Sequence, residues 1–133
     1  MLFDLETETP PIVGRICSEL VVIQFEDEAG IVDRAHALCA RFDEDWFNFF
    51  FESMLALCTR TKVPPNENGE SISISSLTEV LKRLAAFESV LTACVRKESN
   101  EAVEIRLEFD NALVITMRKP RSALLAELHV HLS

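Results

Sequence analysis

The clearest pattern in the chain is an alternation near its end. Val103, Ile105, Leu107 and Phe109 alternate with Glu104, Arg106, Glu108 and Asp110. Successive side chains of a strand point to opposite faces, so this period of two predicts a strand with one buried and one wet face. Leu113, Ile115 and Met117 continue the rhythm up to Lys119-Pro120, and Leu124, Ala126, Leu128, Val130 and Leu132 repeat it. Asp110-Asn111-Ala112 reads as a tight reversal, with Asn111 suited to positive φ. Val90 to Arg96 supplies a further strand, joined through Glu98-Ser99-Asn100. The last third therefore predicts an antiparallel meander of about four strands.

Upstream the period lengthens. Ile31, Ala35, Leu38 and Phe42 recur at steps of three and four, which places them on one helical face. Asp43 stands where a cap would accept from the orphan amides of a second helix, and Glu44 and Asp45 suit the positive end of its dipole. That helix, Glu44 to about Thr61, carries Trp46, Phe47, Phe49, Phe50, Phe51, Met54, Leu55, Leu57 and Cys58. They wrap most of the way round, so it is expected to be central and covered on several sides. Ser76 and Glu79 fit a capping box opening a third helix, with Leu77, Val80, Leu81, Leu84 and Phe87 inward and Lys82 and Arg83 outward.

Leu20 to Phe25 reads as a strand, the alternative being a buried helix begun near Pro11. Glu26-Asp27-Glu28-Ala29-Gly30 is an acidic turn. Residues 1–11 form a polar segment, 63–70 an exposed loop, and Ser71 to Ser75 alternate as a short strand. Together these readings predict one α+β domain over residues 1–133. About three helices pack on one face of an antiparallel meander sheet of four or more strands.

Composition narrows the class. A chain of 133 residues suits one domain. With 48% apolar and 26% charged residues it is too apolar for long disorder. No run reaches 18 apolar residues, so no membrane span is expected. The acidic start MLFDLETETPP lacks the basic n-region of a secretory signal. Cys17, Cys39, Cys58 and Cys94 are widely spaced with no CxxC pair, which predicts thiols in a reducing cytoplasm. Three glycines leave no GxGxxG or P-loop, and no cofactor is expected.

Charge is the informative quantity. Residues 1–55 hold 12 acids and three bases, while residues 56–133 hold ten of each, so the whole net charge of −9 lies in the first 55. Such a chain repels phosphate, which argues against nucleic acid as a partner. It fits a basic protein partner instead. The candidate contact residues are Glu26, Asp27, Glu28, Asp43, Glu44 and Asp45, with Trp46 as an apolar anchor at the helix entrance. If residues 31–42 are helical, about 18 Å separates the two acidic clusters, close enough for one interface.

Candidate chemistry is sparse. His36 and Cys39 would share a helical face, and His129 and His131 one face of the last strand; imidazole and thiolate are zinc ligands. HxxC and HxH are common spacings, and a buried Cys39, a boundary His36 and two exposed histidines near the C-terminus account for them, so no metal site is expected. Cys39 with His36 as a nucleophile lacks a flanking motif, so no catalytic residue is assigned. The expected function is therefore an acidic, cytosolic protein-binding module, of the immunity or antitoxin type that blocks a basic, nuclease-like toxin. The rivals are an acidic secretion chaperone holding a client segment, and a small enzyme or ligand-binding domain whose site is dispersed in sequence.

Overall fold

Period-two geometry governs the described elements throughout, not only those of the last third. A computed structural model describes residues 1–65, 78–85 and 88–132, and among these there is no helix. The strands are β1 (Leu2–Asp4), β2 (Ile16–Asp27), β3 (Gly30–Phe42), β4 (Asp45–Glu52) and β5 (Leu55–Thr61). They continue as β6 (Thr78–Ala85), β7 (Ser89–Glu98), β8 (Ala102–Phe109), β9 (Leu113–Pro120) and β10 (Glu127–Leu132). All pair antiparallel in the order β1-β5-β4-β3-β2-β7-β8-β9-β10, with β6 also on β2. The α+β expectation is thus corrected to an all-β fold.

Over the described residues each of the three expected helices is a strand or a strand pair, for a physical reason. Over Asp33 to Ala37 the buried positions are Asp33, Ala35 and Ala37, a period of two. From Ala37 to Ala40 every residue is buried, because both faces of the sheet are covered there. Between the pairs Ile23↔Ala37 and Phe25↔Asp33, β3 advances four residues while β2 advances two. That irregularity in register lets the steps from Ile31 to Phe42 mimic a helical face.

The aromatic run from Trp46 belongs to β4. Phe47 and Phe49 lie in the main core, with Phe51 packed on it, and Trp46 lies in a separate apolar cluster. A strand covered on both faces is apolar all round, as is a buried helix, and aromatic residues favour the strand. Ser53, at φ 54°, turns the chain from β4 into β5. Asp43 caps no helix; it sits in the β3–β4 turn at φ 57°, a conformation aspartate tolerates. Residues 78–85 of the third expected helix form β6 on β2. Its capping box at Ser76, its ends at Leu77 and Phe87, and the strand expected at Ser71 to Ser75 lie outside the described residues, as do residues 66–70 of the expected loop.

The meander β7–β10 takes the expected order. Val103, Ile105, Leu107 and Phe109 are buried and face Ile115 and Met117 in one core. In the β8–β9 turn the positive φ falls on Ala112 at 70°, while Asn111 Oδ1 accepts from the Leu113 amide at 3.1 Å. Leu124 lies before β10 rather than in it, and is 94% exposed. The polar N-terminal segment contributes β1, whose Phe3 stands opposite Cys58 and is buried.

One main core joins both halves. Leu20, Leu38, Phe42, Phe47 and Phe49 from β2–β4 meet Leu91, Ile105, Leu107, Ile115 and Met117 from β7–β9. The sheet is therefore folded over on itself, with β5 against β8 and β10 against β3. On the outer face of the first half, Val21, Cys39 and Trp46 form the smaller cluster. Arg83 stands opposite Val21 and Arg41 opposite Trp46, and both arginines pair with Glu19.

Candidate functional site

The two acidic clusters occupy opposite ends of β3. Glu26, Asp27 and Glu28 form the β2–β3 hairpin end, and Asp43 and Glu44 the β3–β4 turn. The stretch from Gly30 to Phe42 runs beside Asp27 to Cys17 of β2, about 33 Å at about 3.3 Å per residue, not the about 18 Å of a helix. An interface burying about 800 Å² per partner is about 30 Å across. The clusters therefore reach no closer than opposite edges of one interface of that size.

Their electrostatic states differ too. Arg15 Nη2 donates to Asp43 Oδ2 at 2.6 Å, and Arg41 Nε donates to the Asp43 carbonyl at 3.0 Å. Asp45 is buried; its Oδ2 accepts from Arg60 Nε at 2.9 Å and Nη2 at 2.5 Å, with Lys62 Nζ 4.0 Å from Oδ1. Trp46 is 4% exposed, fenced by the Arg41, Arg83 and Glu19 network, so it is not the exposed anchor expected for it. Glu26, Asp27 and Glu28 form no ion pair among the described residues. Asp27 Oδ1 accepts from the Ala29 amide at 2.8 Å, and Gly30 takes φ 127°, a conformation that favours glycine.

The hairpin reaches past its neighbour. β4 pairs with β3 only from Leu38 to Phe42, so Gly30 to Ala37 pair with β2 alone among the described residues. On the other side of β2, residues 20–26 pair with β6. Ile31 and Val32 on this arm are 45% and 43% exposed, beside the acidic end. Sequence reasoning put Ile31 on a buried helical face and so missed it as a contact.

A cleft of about 450 Å³ lies at the base of the arm, between β3, the β4–β5 turn and the β9–β10 connection. It gathers Asp33, His36, Ser53 and Lys119 from distant parts of the chain, with apolar walls from Phe51, Leu124 and Leu125. Asp33 and Lys119 are both buried charges. Each continues an apolar inward row, Asp33-Ala35-Ala37 and Ile115-Met117-Lys119, and a charge in such a row was the available signal.

The weighed metal and nucleophile sets do not assemble. His36 is exposed and sits edge-on to Phe25, with centroids 4.5 Å apart, whereas Cys39 is buried against Val21 and Trp46. Among the described residues no group of three His, Cys, Asp or Glu side chains is placed to hold a metal. The cysteines are thiols. Burial pushes the thiols of Cys17 and Cys94 up to about 12 and raises that of Cys58 as well, which disfavours the reactive thiolate. No helix among the described residues is long and apolar enough to cross a membrane. Compared with protein-family models, curated proteins and solved structures, the chain matches none.

Proposed function

We propose that the chain is an acidic protein-binding module that blocks a basic, nuclease-like partner, in the manner of an immunity or antitoxin protein. The observation that carries this reading is the contrast between the two acidic clusters. Asp43 and Asp45 are matched by arginines, while Glu26, Asp27 and Glu28, at the end of an arm, hold charge unmatched among the described residues. Unmatched carboxylates attract a basic surface from a distance and raise the association rate. They would stand where the partner's Lys and Arg groups otherwise meet substrate phosphates. Ile31 and Val32 supply the apolar contact earlier given to Trp46, with the acids as its rim. Four thiols suit the reducing cytoplasm in which this reading places the protein.

The test uses a basic partner recovered from the native cell by cross-linking, followed by association kinetics over a salt series. Replacing Glu26, Asp27 and Glu28 together by lysine is expected to lower the on-rate by roughly tenfold or more at low salt. The gap closes as salt screens it. Asp43→Asn, whose charge Arg15 already offsets, is expected to change the on-rate little. An on-rate for the triple variant equal to wild type at every ionic strength would reduce the acidic arm to a solubility feature.

A further inference from the structure

We infer that the cleft between β3 and the β9–β10 connection binds a small zwitterion with an apolar side chain, an apolar α-amino acid or dipeptide. The argument is independent of the acidic arm. Asp33 and Lys119 line one cleft, both are 8% exposed, and they form no ion pair with each other. Two buried charges of opposite sign that face one space without meeting are complementary to a ligand carrying both signs, since a buried charge is costly unless paired.

Each group keeps hydrogen-bonding capacity in reserve. Lys119 Nζ donates to the carbonyls of Pro120, at 3.2 Å, and Ala123, which leaves one of its three N–H bonds for a carboxylate. Asp33 Oδ1 accepts from the Ala35 amide at 3.2 Å, and Oδ2 lies 3.3 Å from His36 Nδ1. A carboxylate has about four acceptor sites, so Asp33 can still take an ammonium. Phe51, Leu124 and Leu125 form the apolar wall for the side chain. About 450 Å³ falls within the range of small-ligand pockets and accommodates either size of ligand.

Titration calorimetry of the full chain with leucine, dileucine, leucinamide and 4-methylpentanoate tests this. Leucinamide lacks the carboxylate that would meet Lys119, and 4-methylpentanoate lacks the ammonium that would meet Asp33. Saturable binding of leucine or dileucine is expected, the tighter of the two identifying the ligand size, with both analogues weaker by roughly tenfold or more. Asp33→Asn and Lys119→Met, checked for folding by circular dichroism, are expected to weaken binding similarly. Absence of saturable binding by both leucine and dileucine up to about 10 mM would overturn the inference. So would either analogue binding as tightly as its parent, a result that does not depend on the variants folding.

Discussion

At the residue scale, adjacent acids of one cluster do different work. Asp45 is buried beneath Arg60, while Glu44 is exposed in the turn. Hydrogen bonds to charged groups contribute about 1.5–3 kcal/mol, less where the arginine is partly solvated, as Arg60 is. Asp45→Asn is therefore expected to cost about 1–2 kcal/mol in urea unfolding, and Glu44→Gln to stay within about 0.5 kcal/mol. Equal effects would mean that the Arg60 pair contributes nothing. The sequence Asp43-Glu44-Asp45 could not separate these roles, because the distinction comes from Arg60 and Arg15, which only the fold brings near. Asn48 adds a second case: its Oδ1 is buried without a hydrogen bond among the described residues. Asn48→Val removes an unsatisfied acceptor and favours the strand, and is expected to be neutral or stabilising by about 1 kcal/mol.

At the element scale, the meander β7–β10 was legible because one face of those strands is wet. Leu107 is fully buried while Glu108 beside it is half-exposed. Leu107→Ala is expected to cost about 2–5 kcal/mol through lost transfer energy and a cavity, and Glu108→Ala no more than about 0.5 kcal/mol. Comparable losses in urea unfolding would mean the register of β8 is wrong. The strands β3, β4 and β5 were illegible for the converse reason. Where both faces are covered, alternation vanishes: Ala37, Leu38, Cys39 and Ala40 are all buried, as are Trp46 and Phe47. Nothing in such a run distinguishes a strand from a buried helix except residue type. The nearness assigned to the acidic clusters failed with the helix on which it rested.

At the scale of the whole molecule, the charge split was legible in composition, but its consequence was not. Bases from the second half reach back to offset part of the acid excess, as Arg83 does at Glu19 and Arg60 at Asp45. Among the described residues Glu26, Asp27 and Glu28 stay without an ion pair at one end of one arm, as Glu6, Glu8, Glu44 and Glu52 do elsewhere. The cleft was likewise invisible, because Asp33, Ser53 and Lys119 lie far apart in sequence and meet only when the sheet folds over.

The strand β2 divides its outer edge between two partners, β7 at Ile16 and Cys17 and β6 from Leu20 to Glu26. That division sets the order in which the protein folds. The ladders β2–β5 and β7–β10 each join neighbours in sequence, so their loops close at small entropic cost. The junction at β2 must wait for chain ends held much farther apart, and non-local pairing of this kind is slow. The two ladders are thus expected to assemble first, the pairing of β7 with β2 to limit the rate, and β6 to dock after it. Leu84 lies on β6 and packs against the main core. Leu84→Ala is expected to destabilise by about 1–3 kcal/mol, almost entirely by faster unfolding in stopped-flow urea jumps, with refolding nearly unchanged. Refolding slowed in proportion to the lost stability would instead make β6 part of the nucleus, and the long-range closure the first event rather than the last.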